Sequence, residues 1–203
     1  MTRPDIAIQV NLLGRRASNP SQRNRKAAMA TLLYLSKTIS DGIILRKPSN
    51  LNLVVYADAS YGGEQSRSQS GALLTLGNQP VGWYSRRQDI VSLSETEAEY
   101  IADCEGGKDL AWGRQLLKEM GITTQPLLVT DSEGAYNLSK TAKFSRRSRH
   151  IEHRFHYLRQ EVQKGRLQIR TIPGKDNPSD HLTKLLPMSS IRAWKERWME
   201  STG

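Results

Sequence analysis

Cysteine is nearly absent from this sequence: Cys104 is the single one among 203 residues, so no disulfide can form within the chain. A chain without disulfides is typical of a reducing compartment, and we expect an intracellular protein. No apolar run approaches the roughly 20 residues that a membrane-spanning helix needs, and the N-terminus lacks the charged and then apolar layout of a signal peptide. We therefore expect no membrane partner.

Acidic residues are also scarce relative to basic ones. The chain has 20 Asp and Glu against 30 Lys and Arg, which gives a formal net charge of +10. Such a surplus favours a polyanionic partner, and nucleic acid is the commonest one, although a basic protein without such a partner remains open on charge alone. The 37% of hydrophobic residues and the length suffice for one globular domain with additional segments.

The apolar pattern predicts an α/β domain over residues 51–186. Three closely spaced strand candidates come first and should be antiparallel, whereas strands that follow helices are usually parallel. The predicted sheet is therefore mixed and five-stranded, three antiparallel strands and then two parallel ones, with helices on its faces. The predicted strands are 51–57, 70–76, 81–85, 127–130 and 167–172, and the predicted helices are 94–120, 133–140, 151–164 and 180–185.

Two further segments flank this domain. Residues 1–47 are basic and contain a predicted helix over 27–38, but two helical elements alone could hardly bury a core. We interpret this segment as the helical C-terminal remnant of a larger upstream domain. Residues 187–203 predict a C-terminal amphipathic helix with Trp194 and Trp198, which we expect in packing rather than in base stacking.

Two apolar runs end in a carboxylate, Asp58 in one and Asp131 in the other. An unpaired charge at the edge of a core is costly, so two such ends suggest a shared cation. Ligands of open α/β sheets bind at the carboxyl ends of parallel strands. Glu99, one turn into a helix, and Asp180, at the start of another, can converge there.

Four oxygen ligands without cysteine match Mg²⁺ or Mn²⁺. A pair of such ions about 4 Å apart is a standard device for hydrolysing a phosphodiester with water, and it needs no small-molecule cofactor. Any single Asp after a strand is more often a turn or cap residue. Glu97 is an alternative to Glu99, and the His150, His153, His156 face could bind zinc, although a packed or phosphate-contacting face is favoured without a fourth ligand.

The motifs YADAS, LSETEAEYIA, VTDSEGA and PGKDNPSDHLTK carry these carboxylates. Together with SRRSRHIEHRFHYLRQ and SDHLTKLLP they closely resemble the RNase H domain of copia-type LTR retrotransposons. The resemblance covers residues 51–187, and the opening TRPDIAIQVNLLGR looks like the end of the preceding reverse-transcriptase region, of connection or thumb type.

This resemblance implies an RNase H-like fold and a ribonuclease H that hydrolyses the RNA strand of RNA–DNA hybrids during retrotransposon reverse transcription. It implies that two Mg²⁺ or Mn²⁺ ions are held by four catalytic residues, Asp58, Glu99, Asp131 and Asp180. Glu99 is preferred to Glu97 because the family's Glu precedes an apolar residue and Ala. The loop before Asp180 lacks the mobile His of cellular RNases H, so that role is unfilled or passes to Lys175.

The resemblance also implies binding partners, a cellular location and residues that contact nucleic acid. Partners would be the RNA–DNA hybrid and the upstream reverse transcriptase, and the location would be the cytoplasm, in a virus-like particle, with the nucleus as an alternative. A non-catalytic nucleic-acid-binding or interaction module derived from a retroelement is the alternative function, and an integrase or transposase of related fold is a weaker one. Nucleic-acid contacts are predicted at Ser60, Ser68, Gln69, Ser70, Arg146, Arg147, Arg149, His150 and Lys175.

Overall fold

The computed structural model describes residues 2–63, 66–140 and 152–201. Its strands are β1 (Asp41–Gly42), β2 (Leu53–Ser60), β3 (Gln69–Leu76), β4 (Gln79–Arg87), β5 (Leu127–Thr130), β6 (Gln168–Thr171) and β7 (Glu200–Ser201). Its helices are α1 (Ala7–Gly14), α2 (Gln22–Lys37), α3 (Glu95–Glu119), α4 (Glu133–Lys140), α5 (Glu152–Gln163), α6 (Asp180–Thr183) and α7 (Met188–Trp198), with short 3₁₀ turns at Pro4–Ile6 and Gly174–Asp176. No helix within these ranges is both long and apolar enough to cross a bilayer.

The central sheet has the strand order β4-β3-β2-β5-β6. β2, β3 and β4 are antiparallel to one another, and β5 and β6 continue the sheet in parallel with β2. The predicted mixed sheet of three antiparallel and then two parallel strands is confirmed. β2 is longer than predicted, since it pairs with β3 as far as Ser60, so Asp58 lies inside the strand and not after it.

The register explains why two distant carboxylates meet. Tyr56 on β2 is aligned with Val129 on the parallel strand β5. Asp58 lies two residues after Tyr56, within β2, and Asp131 lies two residues after Val129, just beyond β5. The two carboxylates therefore reach the same edge of the sheet. Because residues two apart on a strand share a face, Asp58 lies on the same face of the sheet as Tyr56, and Asp131, just after β5, continues the alternation of Val129.

Helix α3 packs across one face of the sheet. Ser94 caps its N-terminus, its side chain accepting a hydrogen bond of 3.1 Å from the backbone N–H of Glu97. The helix runs unbroken through Gly106 and Gly107, where its sequence predicts a bend or a closely packed backbone. A Cβ on Gly106 would lie 2.8 Å from Cγ1 of Val55, so glycine lets the helix approach side chains of the sheet.

The segment before β2 packs on the opposite face. Ala7 of α1 joins a buried cluster with Leu73, Leu182, Trp194 and Trp198, which confirms that these tryptophans pack inside. β1 then pairs with β7, so the first and the last strand of the described chain are hydrogen-bonded to each other. The assignment of residues 1–47 to an upstream domain stays a prediction, but its first helix is part of this core.

Gly71 controls how closely α6 approaches the sheet. It is aligned with Asp58 across β2 and β3, and a Cβ here would lie 2.6 Å from Cβ of Leu182 and 2.8 Å from Cγ2 of Thr183. We expect Gly71→Ala to lower the free energy of unfolding by about 1–3 kcal/mol, because the helix must move. Urea unfolding should show this loss, whereas Gly14→Ala, with open space around it, should not. Equal stability of both variants would contradict the close packing.

Candidate active site

Three carboxylates from three elements converge at the edge of the sheet. Asp58 of β2, Glu99 of α3 and Asp131 after β5 each offer one oxygen, and these oxygens lie within 4.8 Å of one another. Asp58 and Glu99 are buried, while Asp131 is half-buried. A group of carboxylate oxygens at this spacing is compatible with a divalent cation.

The fourth predicted carboxylate, Asp180, reaches the group through a lysine. Nζ of Lys184 lies 2.5 Å from Oδ1 of Asp180 and 3.5 Å from Oδ1 of Asp58. The hydroxyl of Thr183 donates to the other oxygen, Oδ2, of Asp58. The structure therefore brings three of the four predicted residues directly together, and the fourth shares an ammonium group with Asp58.

Hydrogen bonds orient Glu99 and Asp131, the other two carboxylates of the group. Oε2 of Glu99 accepts a bond of 3.0 Å from the backbone N–H of Ala59. Asn177 donates from Nδ2 to the carbonyl of Ala57 at 2.8 Å and to Oδ1 of Asp131 at 3.2 Å. One buried amide thus links the loop before α6 to β2 and to a carboxylate of the site.

Burial and like charges raise the pKa values of the carboxylic acids at the site. Burial raises the pKa of Asp58 to about 7, with Asp180 and Asp131 adding to the shift while Lys184 and Thr183 oppose it. Burial, followed by the charges of neighbouring acids, raises the pKa of Glu99 to about 10. The carboxylates outweigh the effect of burial on Lys184 and raise its pKa. A second cation would relieve the same repulsion.

Sequence reasoning missed several residues. Asn177, Thr183 and Lys184 lie within the quoted motif PGKDNPSDHLTK, but nothing local shows that they contact residues more than a hundred positions away. Asp103 is fully buried one helical turn after Glu99, and burial raises its pKa well above the ordinary range. The spacing of Glu99 and Asp103 on one helix face was the available signal.

Glu97 serves the helix rather than the carboxylate group. Its Oε2 accepts a bond of 2.8 Å from the backbone N–H of Leu93, while its own N–H binds the cap residue Ser94. The pattern is a variant of the capping box, in which the Glu97 side chain binds the N–H of the residue before the cap and not that of Ser94 itself. Glu99 is therefore the residue that faces Asp58.

The predicted nucleic-acid contacts on β3 are largely internal. Ser68 and Ser70 are fully buried, and their hydroxyls accept bonds from the N–H of Gly62 and from Nε2 of Gln88. Gln69 is buried as well. Ser60 is half-buried at the end of β2, and Lys175 is exposed.

The predicted basic loop lies outside the described residues, and this holds for Arg146, Arg147, Arg149 and His150. His153 and His156 belong to α5, but their side chains are also outside what the structure describes. Their assignments stay predictions.

Two solved structures of RNases H have a similar fold. LC11-RNase H1, isolated from compost by a metagenomic approach, superimposes with a TM-score of 0.53 at 17% identity, over 70% of this chain and 96% of that one. LC11-RNase H1 in complex with an RNA/DNA hybrid gives a TM-score of 0.50 at 18% identity, over 64% and 93% of the two chains. The fold is therefore that of RNase H.

Sequence relatives identify the lineage. The chain is 35% identical to the retrovirus-related Pol polyprotein from transposon TNT 1-94 of Nicotiana tabacum, over 96% of this chain and 15% of that protein. It is 34% identical to the Pol polyprotein from transposon RE1 of Arabidopsis thaliana, over 94% of this chain and 13% of that protein. The chain belongs to the copia-type retrotransposon Pol family, of whose polyproteins it spans a small part. No protein-family model matches it.

Proposed function

We propose that this chain is a metal-dependent ribonuclease H that hydrolyses the RNA strand of RNA–DNA hybrids. The observation that carries the proposal is the convergence of Asp58, Glu99 and Asp131 at one edge of an RNase H fold. The fold and the Pol relatives support ribonuclease H-like chemistry, and the complex of LC11-RNase H1 with a hybrid supports hybrid as the substrate class.

The donor set fits a hard divalent cation. Every ligand candidate is a carboxylate oxygen, and the raised pKa values of Asp58 and Glu99 reflect burial and, after it, like charges that such an ion would neutralise. We propose that Asp58, Glu99, Asp131 and Asp180 hold two Mg²⁺ or Mn²⁺ ions. When bound, these ions would supply an activated water and stabilise charge on the phosphate.

The chain's own polar groups would then hold the ligands in place. Asn177 and the N–H of Ala59 fix Asp131 and Glu99, and Thr183 fixes one oxygen of Asp58. Ligands that are already oriented lose less entropy on binding an ion. We further propose that the domain acts next to the reverse-transcriptase region of its polyprotein, in a cytoplasmic particle.

Cleavage of a labelled RNA–DNA hybrid in Mg²⁺ and in Mn²⁺ tests the proposal. We expect cleavage of the RNA strand but not of duplex DNA or duplex RNA, and a loss of at least about a hundredfold in Asp131→Asn. Glu119→Gln removes an exposed carboxylate at the far end of α3 and should leave the rate unchanged. Hybrid that is bound but uncut in both metals would overturn the proposal in favour of a binding module.

A further inference from the structure

Three arginines gather at the edge of the sheet that carries the carboxylates. Arg87 ends β4 and is aligned with Gln69 on β3, which is aligned in turn with Ser60 on β2. Ser60 lies two residues beyond Asp58, so Arg87 and Asp58 are on the same face of the sheet. With strands about 4.8 Å apart and a rise of about 3.4 Å per residue, their Cα atoms are about 12 Å apart.

The chain just after helix α1 brings two more guanidinium groups, those of Arg15 and Arg16, to this edge of the sheet. Nη2 of Arg15 donates to Oδ1 of Asn11 at 2.5 Å and to Oε1 of Gln69. Burial lowers the pKa of Arg15, and the positive charges of Arg87 and Arg16 lower it further. We call Arg15, Arg16 and Arg87 the arginine cluster.

The arginine cluster lacks a counter-ion in the part of the chain that the structure describes. The ion pairs there engage other arginines, such as Arg46 with Glu200 and Arg86 with Glu105, but none of the three cluster members. Like charges held together, one of them half-buried, are unfavourable unless an anion accompanies them. Guanidinium groups match phosphate oxygens in geometry and charge.

We propose that the arginine cluster binds the phosphodiester backbone of the nucleic acid whose cleavage is proposed above. A duplex rises about 3.4 Å per base pair along its axis, so about 12 Å corresponds to about three or four base pairs from the carboxylates. The contact lies within reach of the same strand or of its complement. It makes α1, outside the predicted 51–186 domain, part of the substrate-binding surface.

Binding measured without cleavage tests this assignment. Fluorescence anisotropy of a labelled hybrid and of duplex DNA, in EDTA and over a series of salt concentrations, gives the affinity and its salt dependence. We expect the double variant Arg15→Gln, Arg87→Gln to weaken binding to both duplexes. The slope of log K against log salt should fall in magnitude by about 1.4–1.8, about 0.7–0.9 for each lost phosphate contact.

A matched variant removes the effect of net charge. Arg46→Gln and Arg114→Gln together remove the same charge from arginines that pair with Glu200 and Glu161, and should leave the slope unchanged. A thermal melt confirms that each variant is folded. An unchanged slope in the folded cluster variant would overturn the proposal, as would a wild-type chain that binds neither duplex. Competition by polyglutamate as effective as that by DNA would assign the cluster to an acidic polypeptide instead.

The experiments distinguish a failure of the nuclease proposal from a failure of the arginine-cluster proposal. A wild-type chain that binds hybrid with the expected salt slope, loses that slope in the cluster variant and yet cleaves nothing would refute the nuclease and keep the phosphate surface. Cleavage that depends on Asp131, together with an unchanged slope in the cluster variant, would do the reverse.

Discussion

Asp58→Asn should reduce hybrid cleavage by at least about a thousandfold and, in the absence of metal, make the folded protein more stable. The carboxylate is fully buried, lies among acids and has a raised pKa, so its ionised form is held at a cost that a neutral amide avoids. The amide oxygen can still accept the bond from Thr183. We expect a gain of about 1–3 kcal/mol in the free energy of unfolding at pH 8.

Urea unfolding in EDTA and the hybrid assay measure the two effects on one preparation. Asp89→Asn, which replaces an exposed Asp in the loop after β4, is the control and should change neither quantity by much. An inactive Asp58→Asn that is also less stable than wild type would mean that the contact with Lys184 outweighs the cost of burying the charge, contrary to the raised pKa.

The second large effect is a loss of stability of the metal-free protein as the pH rises from 7 to 9. Glu99 has a pKa of about 10 in the fold against an ordinary value of 4.5, and Asp58 has about 7 against 3.8. Between these limits the folded state binds more protons than the unfolded state, so the free energy of unfolding falls with pH. The slope is at most about 1.4 kcal/mol per pH unit for each group. Above pH 7 Glu99 contributes more of it than Asp58 does, and the raised pKa of the buried Asp103 adds to it in the same direction.

Unfolding by urea at pH 7, 8 and 9 in EDTA checks this slope. His181 has only a small effect in this window: burial lowers its pKa, so the imidazole is neutral in the fold, and in the unfolded chain most of its protons are lost as the pH passes 7. Glu99→Gln should flatten the slope, and Mg²⁺ should remove it, since a bound cation favours the ionised carboxylates. If the free energy of unfolding of the metal-free protein rose from pH 7 to 9, that result would contradict the burial and mutual repulsion of these carboxylates.

The strands follow from the sequence because their signal is local. Apolar alternation and turn residues mark each strand, and an acid at the end of two apolar runs of the sequence identifies Asp58 and Asp131. The helical position of Glu99 follows from its cap at Ser94. These features depend on neighbours along the chain, so a single sequence contains them.

What the sequence does not contain is the packing between distant segments. Asn177 contacts Ala57 and Asp131 across many residues, and no periodicity marks such a contact. Ser68 and Ser70 have the composition of a polar surface, but internal partners satisfy their hydroxyls and allow burial. The attachment of α1 to the tryptophans of α7 likewise depends on which faces meet in three dimensions.

If a divalent ion binds at this site, it must exchange with the ammonium group of Lys184. Its ammonium group lies between Asp58 and Asp180, and its side chain is 41% exposed, so it has a path outward. In the metal-free protein this ammonium group therefore balances part of the charge of the two carboxylates. A divalent ion bound by both carboxylates would displace this ammonium group, which would then be available to an anion at the protein surface.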